Sequence, residues 1–266
     1  MTPRTAPDHL SELLRRYAFG YTAAHDFSVC DELMVDDYLL IMGPAQVSGR
    51  EENYKPATAR LYQQFPTLGF TVHDLVLGTD RAALRFSEHG RSLRTGTSGS
   101  WRGISMYRTR DGLLSECRVE QDYHSRREQL EGVLGPLPVP SPALDPWLQE
   151  PMPADPRIEQ VVRDLLADPA FLQDEVLEVD DAHGPRVRLD DATVTVLDLF
   201  GAGERVAFHV RLDGSYRSGL AVPEDRAGRP ADLYITGIVT VGGGDQVTGH
   251  LVTDRYTAAR RLTAAP

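Results

Sequence analysis

Lysine is almost missing from this chain: Lys55 is the only one, and arginine carries the rest of the positive charge. We read that bias as the coding preference of a GC-rich genome. Cysteine is nearly as scarce. Cys30 and Cys117 stand alone, which excludes a disulfide framework and a zinc pattern and fits a reducing cytoplasm. No apolar run approaches the roughly 18 residues of a membrane span, so no membrane is expected. The opening MTPRTAPDHLSELLRR lacks the apolar core of a secretory signal. Positive charge is short overall: the net charge is −11, with no basic patch interleaved with aromatics, which argues against nucleic acid as a partner. No P-loop or G-x-G-x-x-G opens a helix, and the histidines show no ligand spacing. Neither a cofactor nor a metal is therefore expected. The GTSGS stretch from Gly96 to Ser100 reads as a flexible loop, because its framing is wrong for a nucleophile elbow.

What the chain does have is an internal repeat. Thr71 to Gly90 reads TVHDLVLGTDRAALRFSEHG, and Thr195 to Gly214 reads TVLDLFGAGERVAFHVRLDG. They align without a gap, and each predicts a strand, a turn and a strand. Further on, GLLSECRVEQD (Gly112–Asp122) matches GDQVTGHLVTD (Gly244–Asp254), so each copy ends in a strand closing on an aspartate. Gly242-Gly-Gly-Asp245 is placed in a hairpin turn that needs φ > 0. Between the copies runs a segment holding eight of the chain's 18 prolines, which predicts an extended connector lying along the surface. These features divide the chain into a first domain over 1–134, a linker over 135–156 and a second domain over 157–266.

Each copy opens with a helix. Leu10, Leu13, Leu14, Tyr17, Ala18, Tyr21 and Ala24 fall on one stripe, and Asp155-Pro156 caps the stripe Ile158, Val161, Val162, Leu165, Leu166. In the first copy a short helix near Asp26–Val35 and a strand near Tyr38–Met42 follow. Ser48-Gly-Arg-Glu51 reads as a capping box for a helix reaching Phe65, which Pro56 kinks or delays. The second copy has no room for that long helix, so its hollow is expected to be open or filled.

The stretch QQFPTLGFTVHDLV, DRAALRFSEHG and GSWRGISMYRTRDGLLSECRVEQD resembles the SnoaL-like branch of the NTF2 superfamily. The resemblance covers Leu10 to Gly132. It implies an α+β fold of two tandem cone-shaped NTF2-like domains, each with helices packed on a curved antiparallel sheet and the second copy truncated. It also implies an enzyme doing cofactor-independent acid/base chemistry on a hydrophobic small molecule: cyclisation, isomerisation, dehydration or epoxide opening. A ligand-binding or assembly protein on the same fold is the alternative. Relatives commonly pair through their sheets, so the resemblance implies an intrachain pseudo-dimer, with a homodimer also possible. Some polyether-forming epoxide hydrolases of the superfamily are tandem fusions.

The resemblance assigns an acid/base role to the aspartate ending the last strand, here Asp122. Strand alternation puts Arg118, Glu120 and Asp122 on one face and Cys117, Val119 and Gln121 on the other. If the charged face lines the cavity, two carboxylates and a guanidinium share a small space and their pKa values split. Glu88 and His89 end a central strand where only one can face the cavity, and His89 is carried as the catalytic candidate. Tyr17, Tyr21, Tyr62 and His73 are the expected ligand contacts. The Asp-Pro-Val-Gly turn that holds the base of ketosteroid isomerases is not matched by Ile41-Met42-Gly43-Pro44, and Asp36 and Asp37 read as a helix-to-strand junction.

Overall fold

The structure, a computed structural model, describes residues 9–174, 176–180 and 184–264; the opening MTPRTAPD lies outside them. In the first copy α1 (His9–Arg15) runs directly into a π-helical stretch (Arg16–Ala23). α2 (Phe27–Leu33) follows, capped by Asp26, whose carboxylate accepts from the Ser28 amide. The sheet is built from β1 (Met34–Met42), β2 (Ala45–Ser48), β3 (Gly69–Leu77), β4 (Arg81–Arg91), β5 (Ser98–Arg110) and β6 (Leu113–Gln121). A second π stretch (Arg50–Tyr54) and α3 (Lys55–Gln64) sit between β2 and β3, and α4 (Tyr123–Leu130) closes the copy. The strand order is β2-β1-β6-β5-β4-β3, with β1 parallel to β6 and the other neighbours antiparallel.

The second copy repeats the plan with fewer parts. It has α5 (Pro156–Leu166), α6 (Ala170–Gln173), β7 (Glu178–Val179), β8 (Arg188–Ala202), β9 (Arg205–Ser218), β10 (Pro230–Val241), β11 (Val247–Thr253) and α7 (Arg255–Ala264). Its order, β7-β11-β10-β9-β8, again sets the first strand parallel to the last. Counterparts of β2 and α3 are absent among the described residues. The architecture is α+β: two units of helices packed on a sheet, the second with fewer strands and helices.

Several local expectations need correction. The first helix is not α throughout: the Ala24 amide bonds the Phe19 carbonyl at 3.1 Å, five residues back, and the widened turn carries Tyr17 and Tyr21. The capping box does not form. Gly49 takes φ 91°, which leaves Ser48 in β2, and the Gly49 carbonyl accepts from Asn53 and Tyr54 instead. Asp36 and Asp37 lie within β1 and are not at a junction. Ser98 to Ser100 belong to β5, so only the start of GTSGS is a loop. Pro56 does not delay the helical run, which starts at Arg50; it stands where the π stretch gives way to α3. The linker lies along the protein, anchored by buried Pro146 and Trp147, and the Trp147 carbonyl accepts from Ser11 Oγ at 2.7 Å. It is not free of helix: Pro146–Leu148 forms one 3-10 turn.

The two sheets pack face to face. Val76, Ala83, Ile104 and Met106 of the first meet Phe200, Ala202, Ala207, Ile238 and Val252 of the second in a small apolar core. Around it the contacts are reciprocal. Arg81 donates to Asp198 and to the Leu199 carbonyl, and Arg205 donates to Asp74 and to the Leu75 carbonyl. In the repeat alignment Arg81 corresponds to Arg205, Asp74 to Asp198 and Leu75 to Leu199. One patch therefore meets its own copy about an approximate twofold, as in an isologous interface. Arg85 adds a bidentate pair to buried Asp180, at 2.5 and 2.7 Å. Breaking such a pair by removing one partner strands a charge and costs about 3–5 kcal/mol.

Candidate functional site

A cavity of about 330 Å³ opens between the helices and the inner face of the first sheet. Its walls are largely aromatic. Tyr17 contacts Tyr21, Tyr107 and Phe70 at ring separations of 5.4–6.5 Å, and Phe70 stacks on Phe86 at 4.7 Å. The second π stretch and α3 build one side of it, through Tyr54, Thr58, Leu61 and Tyr62. The sheet floor comes from alternate residues: Cys117, Val119 and Gln121 of β6, Ser105 and Tyr107 of β5, Phe86 and Glu88 of β4. Burial holds the phenols of Tyr17, Tyr21, Tyr54, Tyr62 and Tyr107 above their ordinary pKa, so they stay protonated donors.

Glu88 is the carboxyl group in this cavity. It is 6% exposed, and its Oε2 accepts from Trp101 Nε1 at 2.9 Å. The same indole N–H is shared with Gln121 Oε1, also at 2.9 Å. Desolvation pushes the Glu88 pKa up to about 7, against the opposing pull of Arg126 and the indole bond. Near neutrality both protonation states are populated, which is the condition for a group that gives and takes protons. Arg126, in α4, lies over the rings of Tyr123 (4.3 Å), Trp101 (5.1 Å) and Phe65 (5.9 Å) and also lines the cavity.

The charged face of β6 looks the other way, correcting the expectation that Arg118, Glu120 and Asp122 line the hollow. Arg118 points toward the second sheet, beside Glu116 (2.8 Å) and Asp198 (3.7 Å). Glu120 is buried between the copies and accepts from the Gly43 amide at 2.7 Å, with His209 Nε2 3.0 Å away. Burial raises Glu120 to about 8 and lowers His209 to about 4, so near neutrality the acid keeps its proton, the imidazole is neutral, and the contact is a neutral pair instead of an ion pair. Asp122 caps α4, accepting from the Ser125 amide at 2.9 Å. Alternation defined the two faces, but the charges marked the one that meets the equally charged partner sheet.

The histidines also lie outside the cavity. His89 covers Gly69 on the opposite face of the sheet, with Thr71 Oγ1 3.3 Å from its ring. His73 is buried beneath the linker, between the Ser141 carbonyl (3.0 Å) and Ser87 Oγ (2.8 Å), and burial lowers its pKa. Tyr17, Tyr21 and Tyr62 do line the cavity. Glu88 stood in the sequence only as the neighbour of His89, while Arg126, Trp101 and Gln121 gave no site signal. The cross-strand pairing Glu88 to Trp101 was the missing clue, and it depends on the register of β4 and β5.

The class defined by this geometry is a cone-shaped α+β domain with a half-open hollow and an acid in its floor. Residues 14–117, within the first copy, match the family model of the SnoaL-like domain. Among solved structures the chain is similar to a SnoaL-like protein from Jannaschia sp. CCS1 (19% identity, TM-score 0.43, 49% of this chain and 97% of that one). It is also similar to TsrD from Streptomyces laurentii (25%, TM-score 0.43, 47% and 96%). A third is IdmH from Streptomyces antibioticus, proposed as a polyketide cyclase (22%, TM-score 0.41, 46% and 97%). The search of curated proteins gives no match.

Proposed function

We propose that the first copy is a cofactor-independent acid/base enzyme for a hydrophobic small molecule and that Glu88, not Asp122, moves the proton. The supporting observation is a buried carboxyl group, poised near neutrality, in the floor of an aromatic cavity. Phenols around it can donate to a developing enolate or alkoxide. Ring closure, isomerisation, dehydration and epoxide opening all suit one such acid in a dry cone. The test is turnover of a panel holding one substrate of each type. Glu88→Gln should lower kcat/KM at least 100-fold, with the folded state intact by circular dichroism. Unchanged turnover would end this reading. Binding without turnover by the unaltered chain would favour the ligand-binding alternative, which the displacement of Arg118, Glu120 and Asp122 from the cavity makes specific.

The second copy is, in this proposal, the structural partner of the first, and the chain is its own sheet-to-sheet dimer. The reciprocal Arg81–Asp198 and Arg205–Asp74 pairs support it. With that face occupied within one chain, light scattering should report the mass of a single chain. A stable dimer would require a different surface.

A further inference from the structure

Gln64 and Arg126 line both the aromatic cavity and a second hollow of about 490 Å³ beside it. The other charged walls of that hollow are Arg94, Arg127 and Glu131. Glu131 is already matched, since Arg127 Nε donates to it at 2.8 Å and Arg127 also reaches the Tyr256 hydroxyl. That leaves Arg94 and Arg126 as the excess positive charge of this hollow, with Arg126 also facing Glu88 in the aromatic cavity, in a chain whose net charge is −11. Among the described residues no carboxylate comes within salt-bridge distance of Arg126. Its guanidinium is held by three aromatic rings, which fix its stem and orient it without consuming its hydrogen bonds. A fork so placed matches a carboxylate bidentately.

Resting on the reading of the cavity as a small-molecule site, we infer that its ligand is an apolar, ring-bearing molecule ending in a carboxylate, which Arg126 receives where the two hollows meet. The apolar body lies among the tyrosines and Phe70, and Arg94 adds to the field that draws the anion in. The outer hollow is a vestibule that selects acids over neutral molecules.

The test is calorimetric binding to the whole chain of anthraquinone-2-carboxylate and of its uncharged carboxamide. The acid should bind at least tenfold tighter than the amide. Arg126→Met, which keeps an apolar stem against the rings, should abolish that preference and leave amide binding in place. Should that variant fold poorly, Arg126→Lys keeps the charge without the fork and should reduce the preference severalfold. Arg94→Gln should reduce it less, and mainly at low salt. Equal affinity for acid and amide, no measurable binding of the acid, or a preference untouched at Arg126 would each overturn the inference. The acid/base reading fails differently, through full turnover in Glu88→Gln with the acid preference intact.

Discussion

The same cone occurs twice in this chain, hollow in one copy and solid in the other, and the strand registers show which substitutions make the difference. The pairing of β4 with β5 and of β9 with β10 places Leu212 where the first copy has Glu88, and Leu233 where it has Trp101. Gln121 becomes Thr253, Tyr107 becomes Val239 and Ser105 becomes Gly237. At Gly237 the missing side chain is needed: an added Cβ would sit 2.3 Å from the ring of Phe208, which is fully buried in the second core. The remaining space there is about 20 Å³, less than one ligand needs. A hollow thus depends on two things together: a wall made by the second π stretch and α3, and polar groups whose burial is tolerated because the hollow gives them room for a partner. Remove the wall, and aliphatic side chains close the gap.

The sharpest way to break this comparison is to move the acid. Leu212→Glu buries a carboxyl group in packed aliphatics with no indole N–H to meet it, so it should cost roughly 4 kcal/mol or more in urea unfolding at pH 8 and less at pH 5, where it is protonated. Glu88→Leu should be far milder for stability while removing the acid. A similar loss from both changes would mean the copies do not differ as described.

The two halves of the interface come next. Asp198 is 4% exposed and faces Arg81, Arg108 and Arg118, whereas its counterpart Asp74 is 28% exposed and faces Arg205. Asp198→Ala should destabilise by about 3–5 kcal/mol and Asp74→Ala by about 1 kcal/mol, since solvent screens the latter pair. Equal losses would show that burial does not separate the two sites.

A pH profile sharpens the difference further. The Glu88 pKa is about 7 in the folded chain, above the ordinary 4.5, so the folded state holds the extra proton between those values. Its contribution to stability is present below 4.5 and lost as pH rises through 7. The unfolding free energy of the unaltered chain, from urea titrations, should therefore fall relative to Glu88→Gln across that window, by about 3 kcal/mol. Parallel curves would place Glu88 in water. The smallest effect is expected at the strand-end aspartates. Asp122→Asn keeps the helix cap and should change stability by less than about 0.5 kcal/mol and leave turnover unchanged. Asp254→Asn should cost more, because Asp254 also accepts from Arg261 at 2.7 Å and from Thr257 at 2.8 Å.

Much of this fold is legible in the sequence, because the signals are local or repeated. The stripe from Leu10, the Asp155-Pro156 start, the proline-rich connector and the two aligned strand pairs each fix an element directly. The site is less legible. Alternation along β6 separates Arg118, Glu120 and Asp122 from Cys117, Val119 and Gln121, but which face is hollow is decided by where the second sheet docks. That is a long-range fact, and a charged stripe looks the same whether it serves a substrate or a partner. Glu88 becomes visible only once β5 brings Trp101 beside it.

The reciprocal arginine–aspartate pairs have a further consequence for how such a molecule can change. In a dimer of identical chains every substitution appears twice, so a leucine that seals one cone seals both and the pocket is lost. Here each half of the twofold is encoded separately. Selection can therefore harden one cone into a foundation while the other stays open to experiment.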